Sequence, residues 1–115
     1  MNTLIILQEA PYGTERSYNG LRLAAALLGA GSAVRIFLLG DASGCGKRGQ
    51  NVPSGYYNIE TMLSGLAKRG VDIGVCGSCM DARGITEEEL VGGLHRGSMA
   101  RLAEWTQWAD TVASF

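Results

Sequence analysis

The chain has 115 residues, a length that suits one domain with a single core. Hydrophobic residues make up 46% of it, which excludes a disordered chain, and a formal net charge of −1 gives no electrostatic reason to expect nucleic acid or a membrane surface. Three cysteines, an odd number, do not make a secreted disulfide framework; with no bilayer-length apolar run and no basic leader after Met1, the expectation is a cytoplasmic protein with free thiols.

Residues 3–7 (TLIIL) form a continuous apolar run that reads as a central strand covered on both faces. Pro11 and Gly13 then break the chain into a loop, after which Thr14 or Ser17 is placed to cap a helix reaching about Ala30. Tyr18, Leu21, Ala25 and Leu28 recur at helical spacing, and Leu23 and Leu27 widen that stripe beyond one narrow face. So broad an apolar surface calls for a sheet and a further partner, either a neighbouring helix or a second subunit.

Residues 33–39 (AVRIFLL) are the second strand, and strand–helix–strand alternation makes a parallel crossover the default. Residues 40–54, rich in Gly, Ser, Lys and Arg and holding Cys45, read most simply as a solvated loop. Asn58 caps a second helix with Ile59, Met62, Leu63 and Leu66 on its apolar face, and Gly70 stops it after Lys68 and Arg69.

Residues 71–75 are a third buried strand that ends at Cys76. Thr86, with Glu89 three positions on, is a capping box that starts a short helix, broken by Gly92-Gly93. Residues 91–94 are a weak fourth strand that the sequence leaves undecided. Ser98 caps a last helix with Leu102, Ala103, Trp105 and Trp108 among its apolar positions, and residues 111–115 (TVASF) are a terminal strand. The pattern reads as a single α/β domain over residues 1–115, an open parallel sheet with helices on both faces.

Chemistry concentrates in residues 76–85 (CGSCMDARGI), where the third strand stops. Ligand and catalytic groups gather beyond the carboxyl ends of strands in such sheets. Cys76 is the candidate nucleophile: amides of the next turn, with Gly77 and Gly84 allowing unusual backbone angles, favour a thiolate, and Arg83 lies close in sequence. A free cysteine also often simply packs. Cys76 and Cys79 form a C-x-x-C pair that also matches a redox dithiol, in which Cys79 resolves a bond on Cys76, or half of a zinc site. Zinc needs two more ligands, and only Cys45 and His95, on separate segments, remain; His95 reads as a surface loop residue. No glycine pattern of a nucleotide-binding loop is present.

At these residues the chain resembles the DsrE/DsrF-like family of sulfur-relay proteins over nearly its whole length. The matching stretches are the opening strand with Ala10-Pro11-Tyr12-Gly13, Phe37-Leu38-Leu39-Gly40-Asp41, Gly55-Tyr56-Tyr57-Asn58 and, most specifically, the cysteine turn. In TusD-like members the reactive cysteine is followed, seven and eight residues on, by Arg-Gly; Cys76 stands so to Arg83 and Gly84, and Cys79 does not. Cys79 is an extra thiol relative to those members. The resemblance implies a flavodoxin-like three-layer sandwich with a mostly parallel five-stranded sheet. It also implies a cytoplasmic persulfide carrier with Cys76 as the sulfur-bearing residue and Cys79 beside it. Gly77, Ser78, Arg83, Gly84 and Tyr12 are then binding residues, with no metal or organic cofactor. The partners implied are sulfur donor and acceptor proteins, within a homo-oligomer (dimer, trimer or hexamer). The open alternative is a non-enzymatic oligomer of the same fold that binds a small ligand or senses redox state.

Overall fold

Residues 1–115 are all described by the computed structural model. Five strands, β1 (Asn2–Leu7), β2 (Ala33–Leu38), β3 (Asp72–Cys76), β4 (Leu94–Gly97) and β5 (Thr111–Ser114), build one sheet in the order β4-β3-β2-β1-β5. Every pairing is parallel, from Asn2 opposite Ala33 to Cys76 opposite Gly97. Helices α1 (Arg16–Gly29), α2 (Ile59–Lys68), α3 (Gly77–Ala82) and α4 (Met99–Trp108) complete a flavodoxin-like α/β sandwich.

Topology decides which face each helix covers. The chain steps in one direction from β1 through β4, then reverses across the sheet to place β5 beside β1. With crossovers of one hand, that reversal puts α4 on the opposite face from α1 and α2. The cores agree. Ile5, Leu7, Ile36, Leu38, Ile73 and Val75 pack with Leu21 and Ala24 of α1 and Ile59, Leu63 and Leu66 of α2. Alternate residues of the same strands, Leu4, Phe37 and Cys76, pack with Leu102 and Trp105 of α4. Both faces of the three central strands are therefore largely apolar, which is why they read as hydrophobic runs, interrupted by charge only at Arg35 and Asp72 near the strand starts.

Asn58 and Ser98 cap their helices as expected, accepting from the amides of Thr61 at 3.0 Å and Arg101 at 3.2 Å. The cap of α1 differs. Glu15 holds that position without a side-chain bond; Ser17 is buried and donates to the Glu9 carbonyl, while Thr14 accepts from the Arg16 amide. The broad apolar stripe of α1 meets the sheet and α2, leaving Leu23 exposed.

Three expectations are corrected. Residues 40–54 are not a wholly solvated loop. Gly40–Gly46 is a 3-10 turn with Ala42, Ser43, Cys45 and Gly46 buried. A Cβ on Gly46 would stand 3.2 Å from Leu38 and Leu94, so the glycines let backbone, not side chains, fill this space. The helix expected from Thr86 is only a 3-10 turn, Glu87–Glu89, although the Thr86–Glu89 capping box is present; the real helix, α3, starts nine residues earlier, directly at the end of β3. The weak fourth strand at 91–94 lies instead at Leu94–Gly97, so His95 is an edge-strand residue, not a loop histidine, and pairs with Asp72.

Phe37 is the largest fully buried side chain. Its ring meets Trp105 edge-on at 6.1 Å between centroids and lies across Gly74 of β3 and Gly97 of β4, where a Cβ would stand 3.3 and 2.9 Å from it. Strand glycines here serve close approach, and the ring they admit packs in the same cluster as Cys76. Trp108 stacks under the Arg35 guanidinium at 4.0 Å. The two tryptophans are thus packing residues of α4.

Candidate functional site

Cys76 ends β3 and begins α3. As the helix N-cap, it accepts from the Cys79 amide on its sulfur at 3.4 Å, a place usually filled by a Ser or Asp oxygen. The Ser78 hydroxyl lies 3.4 Å from the same sulfur. Cys79, on the first turn of α3, is half-buried, and its sulfur accepts from the Gly40 amide at 3.2 Å. Gly40 follows β2, the neighbour of β3, so two strand ends converge on one dithiol. Cys76 is 5% exposed, while Ser78 beside it is open to solvent.

The two thiols are driven apart in acidity. Burial alone would raise Cys76, but hydrogen bonds from the Cys79 thiol, the Ser78 hydroxyl and the two local amides outweigh it and hold Cys76 below the ordinary thiol value. Burial and the bond it gives to Cys76 raise Cys79, against the opposing pull of the Gly40 amide and Arg83. The hydrogen bonds of the turn thus favour negative charge at Cys76 over Cys79.

Two arginines frame the turn. Arg83, at the end of α3, donates to Asp41 at 2.7 Å and to the Cys79 carbonyl at 3.1 Å. Arg96, on β4, makes a bidentate pair with Asp81 at 2.8 Å on both arms. Both guanidiniums feel the charge of Cys76. Arg96 also explains Gly77. A Cβ there would stand 2.7 Å from the guanidinium carbon, so a side chain at 77 would push the guanidinium aside, while the backbone angle of Gly77 is an ordinary one. Gly84, at φ +67°, closes α3 in a Schellman motif: its amide bonds Asp81 and that of Ile85 bonds Met80. It shapes the end of the turn and makes no contact with sulfur.

Of the expected site residues, Cys76, Gly77, Ser78, Cys79 and Arg83 come together, and Gly84 terminates their helix. Tyr12 lies elsewhere. Its hydroxyl donates to Gln50 and accepts from the Ile59 amide at 3.1 Å, its ring stacks on Tyr57, and it lines a cleft of about 320 Å³ with Val52, Pro53, Tyr56 and Tyr57. Cys45 sits in the core across the sheet from Cys76, fully buried, donating to the Glu9 carbonyl at 3.6 Å; burial pushes its thiol up to about 11. No three His, Cys, Asp or Glu side chains converge as a metal site would require.

Gly40, Asp41, Asp81 and Arg96 were not among the expected site residues. One signal does point to Gly40 and Arg96: residues just past, or at the end of, strands adjacent to β3 must flank its end. Using it requires the strand order and the true position of β4.

Residues 1–115 match the model of the DsrE/DsrF-like family. Protein YchN of Escherichia coli strain K12 is 42% identical over 114 residues, 97% of each chain. An uncharacterized protein of Methanopyrus kandleri is 38% identical over 111 residues, 96% of this chain and 91% of that one. The crystal structure of the YchN protein from E. coli matches with a TM-score of 0.91 at 41% identity over 100% of both chains. A protein of unknown function from Methanobacterium thermoautotrophicum, at 12% identity and a TM-score of 0.82 over 99% of this chain and 98% of that one, shares the fold.

Proposed function

The chain belongs to the DsrE/DsrF-like family, and from that premise we propose that it carries sulfane sulfur as a persulfide on Cys76 and passes it to a cysteine of a partner protein. The observation that carries this reading is the Cys76 sulfur itself. It is held at a strand's carboxyl end by the Cys79 amide and the Ser78 hydroxyl, with its proton loosened.

The chemistry follows from that state. A Cys76 thiolate attacks the outer sulfur of a donor persulfide, R–S–SH, and R–S⁻ leaves, giving Cys76–S–SH. An acceptor thiolate then takes the outer sulfur and Cys76 departs as thiolate. A low thiol pKa serves both steps, because it raises the thiolate fraction for attack and makes Cys76 the better leaving group. Arg83 and Arg96 add positive charge around the turn. Neither step calls for a cofactor.

Donor and acceptor are proteins on this reading, and the chain associates with copies of itself on the face of α1 where Leu23 is exposed. Three free thiols suit a reducing compartment such as the cytoplasm. No helix is long and apolar enough to cross a membrane.

The test is intact mass after reduced protein meets a persulfide donor, wild type beside Cys76→Ser. The expected result is transfer of the donor's outer sulfur that requires Cys76, read as added mass where the sulfur is held and as loss of donor persulfide where it is passed on. Equal uptake by the Cys76→Ser variant refutes the assignment.

A further inference from the structure

We infer that Cys79 is a resolving thiol: it attacks the inner sulfur of a Cys76 persulfide, closes a Cys76–Cys79 disulfide and expels hydrosulfide. The inference rests on the reading of Cys76 as the sulfur carrier and adds a second fate for the carried atom.

Three features of the turn carry it. First, the two cysteines share one turn: Cys76 is the N-cap of α3, the Cys79 amide donates to its sulfur at 3.4 Å, and positions three apart at a helix start direct both side chains to the same side. Second, Cys79 has a donor of its own, the Gly40 amide at 3.2 Å. That amide favours the Cys79 thiolate; burial and the bond that Cys79 gives to Cys76 oppose it in the free dithiol, and the second of these ends once the Cys76 sulfur is bonded to the carried atom. Third, the donor is held in register. Arg83 bonds the Cys79 carbonyl with one arm and Asp41 with the other, and Asp41 adjoins Gly40. One guanidinium thereby ties the turn bearing the thiol to the turn bearing its donor.

The step balances without an outside oxidant. The Cys79 sulfur supplies the electron pair of the new S–S bond. The outer sulfur leaves with the pair of the old one, and the proton lost by Cys79 ends on it, so that Cys76–S–SH and Cys79–SH give the disulfide and hydrogen sulfide. A dithiol reductant returns the pair to two thiols by exchange. The protein then partitions carried sulfur: an acceptor that docks first receives it, and otherwise it is released as sulfide.

The test mixes reduced full-length protein with equimolar glutathione persulfide. It follows intact mass after acid quench together with sulfide released above a protein-free control. Wild type is expected to lose the mass of two hydrogens and to release an equimolar amount of sulfide. Cys79→Ser and Cys79→Ala are expected to gain and hold one sulfur atom and to release none, and Cys76→Ser to do neither. Wild type that holds the added sulfur as long as both Cys79 variants do overturns the resolving role and leaves the carrier reading standing. Cys79 variants that gain no sulfur, beside wild type that releases no sulfide, overturn the carrier reading and the inference together.

Discussion

Raising the pH past 9 should destabilise this protein through one residue far from its reactive pair. Cys45 is fully buried, its sulfur faces the Glu9 carbonyl, and its thiol is raised from 9.0 to about 11. Because the folded value lies above the unfolded one, the stabilisation is fully present below pH 9. It is lost as pH rises toward 11, where the unfolded chain releases a proton that the folded chain retains. At 1.36 kcal/mol per pH unit the loss approaches roughly 3 kcal/mol, a large part of a stability of about 5–15 kcal/mol. With a urea dependence of about 1–3 kcal/mol per molar, the unfolding midpoint falls by roughly 1–3 M. The assay is urea unfolding at pH 8 and pH 11 for wild type and Cys45→Ala. Lysines and tyrosines titrate equally in both, so the difference between the two pH-dependent losses isolates Cys45. The variant starts lower, since it leaves a small cavity, but loses less stability on alkalisation. Equal losses in the two proteins would refute the assignment of the alkaline weakness to this thiol.

Cys76 has the opposite sign. Its thiol is lowered, so iodoacetamide alkylation at this residue, followed by mass against pH, should rise at lower pH than that of an ordinary thiol. The profile should move up in Ser78→Ala and Cys79→Ala, and a profile indifferent to both would remove the claim that these groups hold the thiolate. Gly84→Ala forces an L side chain to φ +67° and should cost about 1–2 kcal/mol in urea unfolding, with Gly84→Asn milder. Phe37→Ala empties the place the ring fills against Trp105, Gly74 and Gly97 and should cost about 3–5 kcal/mol by the same measurement. Gly77→Ala places a methyl against the Arg96 guanidinium and should speed hydrogen exchange at the Cys79 amide, while Arg96→Ala combined with Gly77→Ala adds little further.

The sheet was legible wherever strands are buried on both faces. Residues 3–7, 33–39 and 71–75 carry no polar alternation because α1 and α2 cover one side and α4 the other. Asn58 and Ser98 announced their helices because a side-chain acceptor before an apolar periodic run is a local signal. The misread places are those where the cause is not local. Gly77 reads as a place for an unusual backbone angle yet opens a helix, because a cysteine serves as the helix cap and an arginine from β4 occupies the space of its missing side chain. The glycine- and serine-rich segment after β2 looks solvated yet is buried, since small residues also permit dense backbone packing. β4 was misplaced because Leu94–Gly97 is an edge strand carrying His95 and Arg96, with none of the apolar run that marks the centre of the sheet. Cys76 was nameable from its turn; Gly40 and Arg96 required the strand order.

The pairing of β5 with β1 has a bearing on biosynthesis. Asn2 and Asp110 bond across 108 positions, and the Phe115 amide reaches the Ile6 carbonyl. A ribosome exposes β1 before its outer neighbour, which follows only after the other three strands and all four helices of the domain have been translated. During that interval the strand offers an open ladder and the greasy side that α4 will cover, the kind of surface a chaperone grips. Closure of the sheet is therefore a late event, and contacts so distant along the chain slow it further.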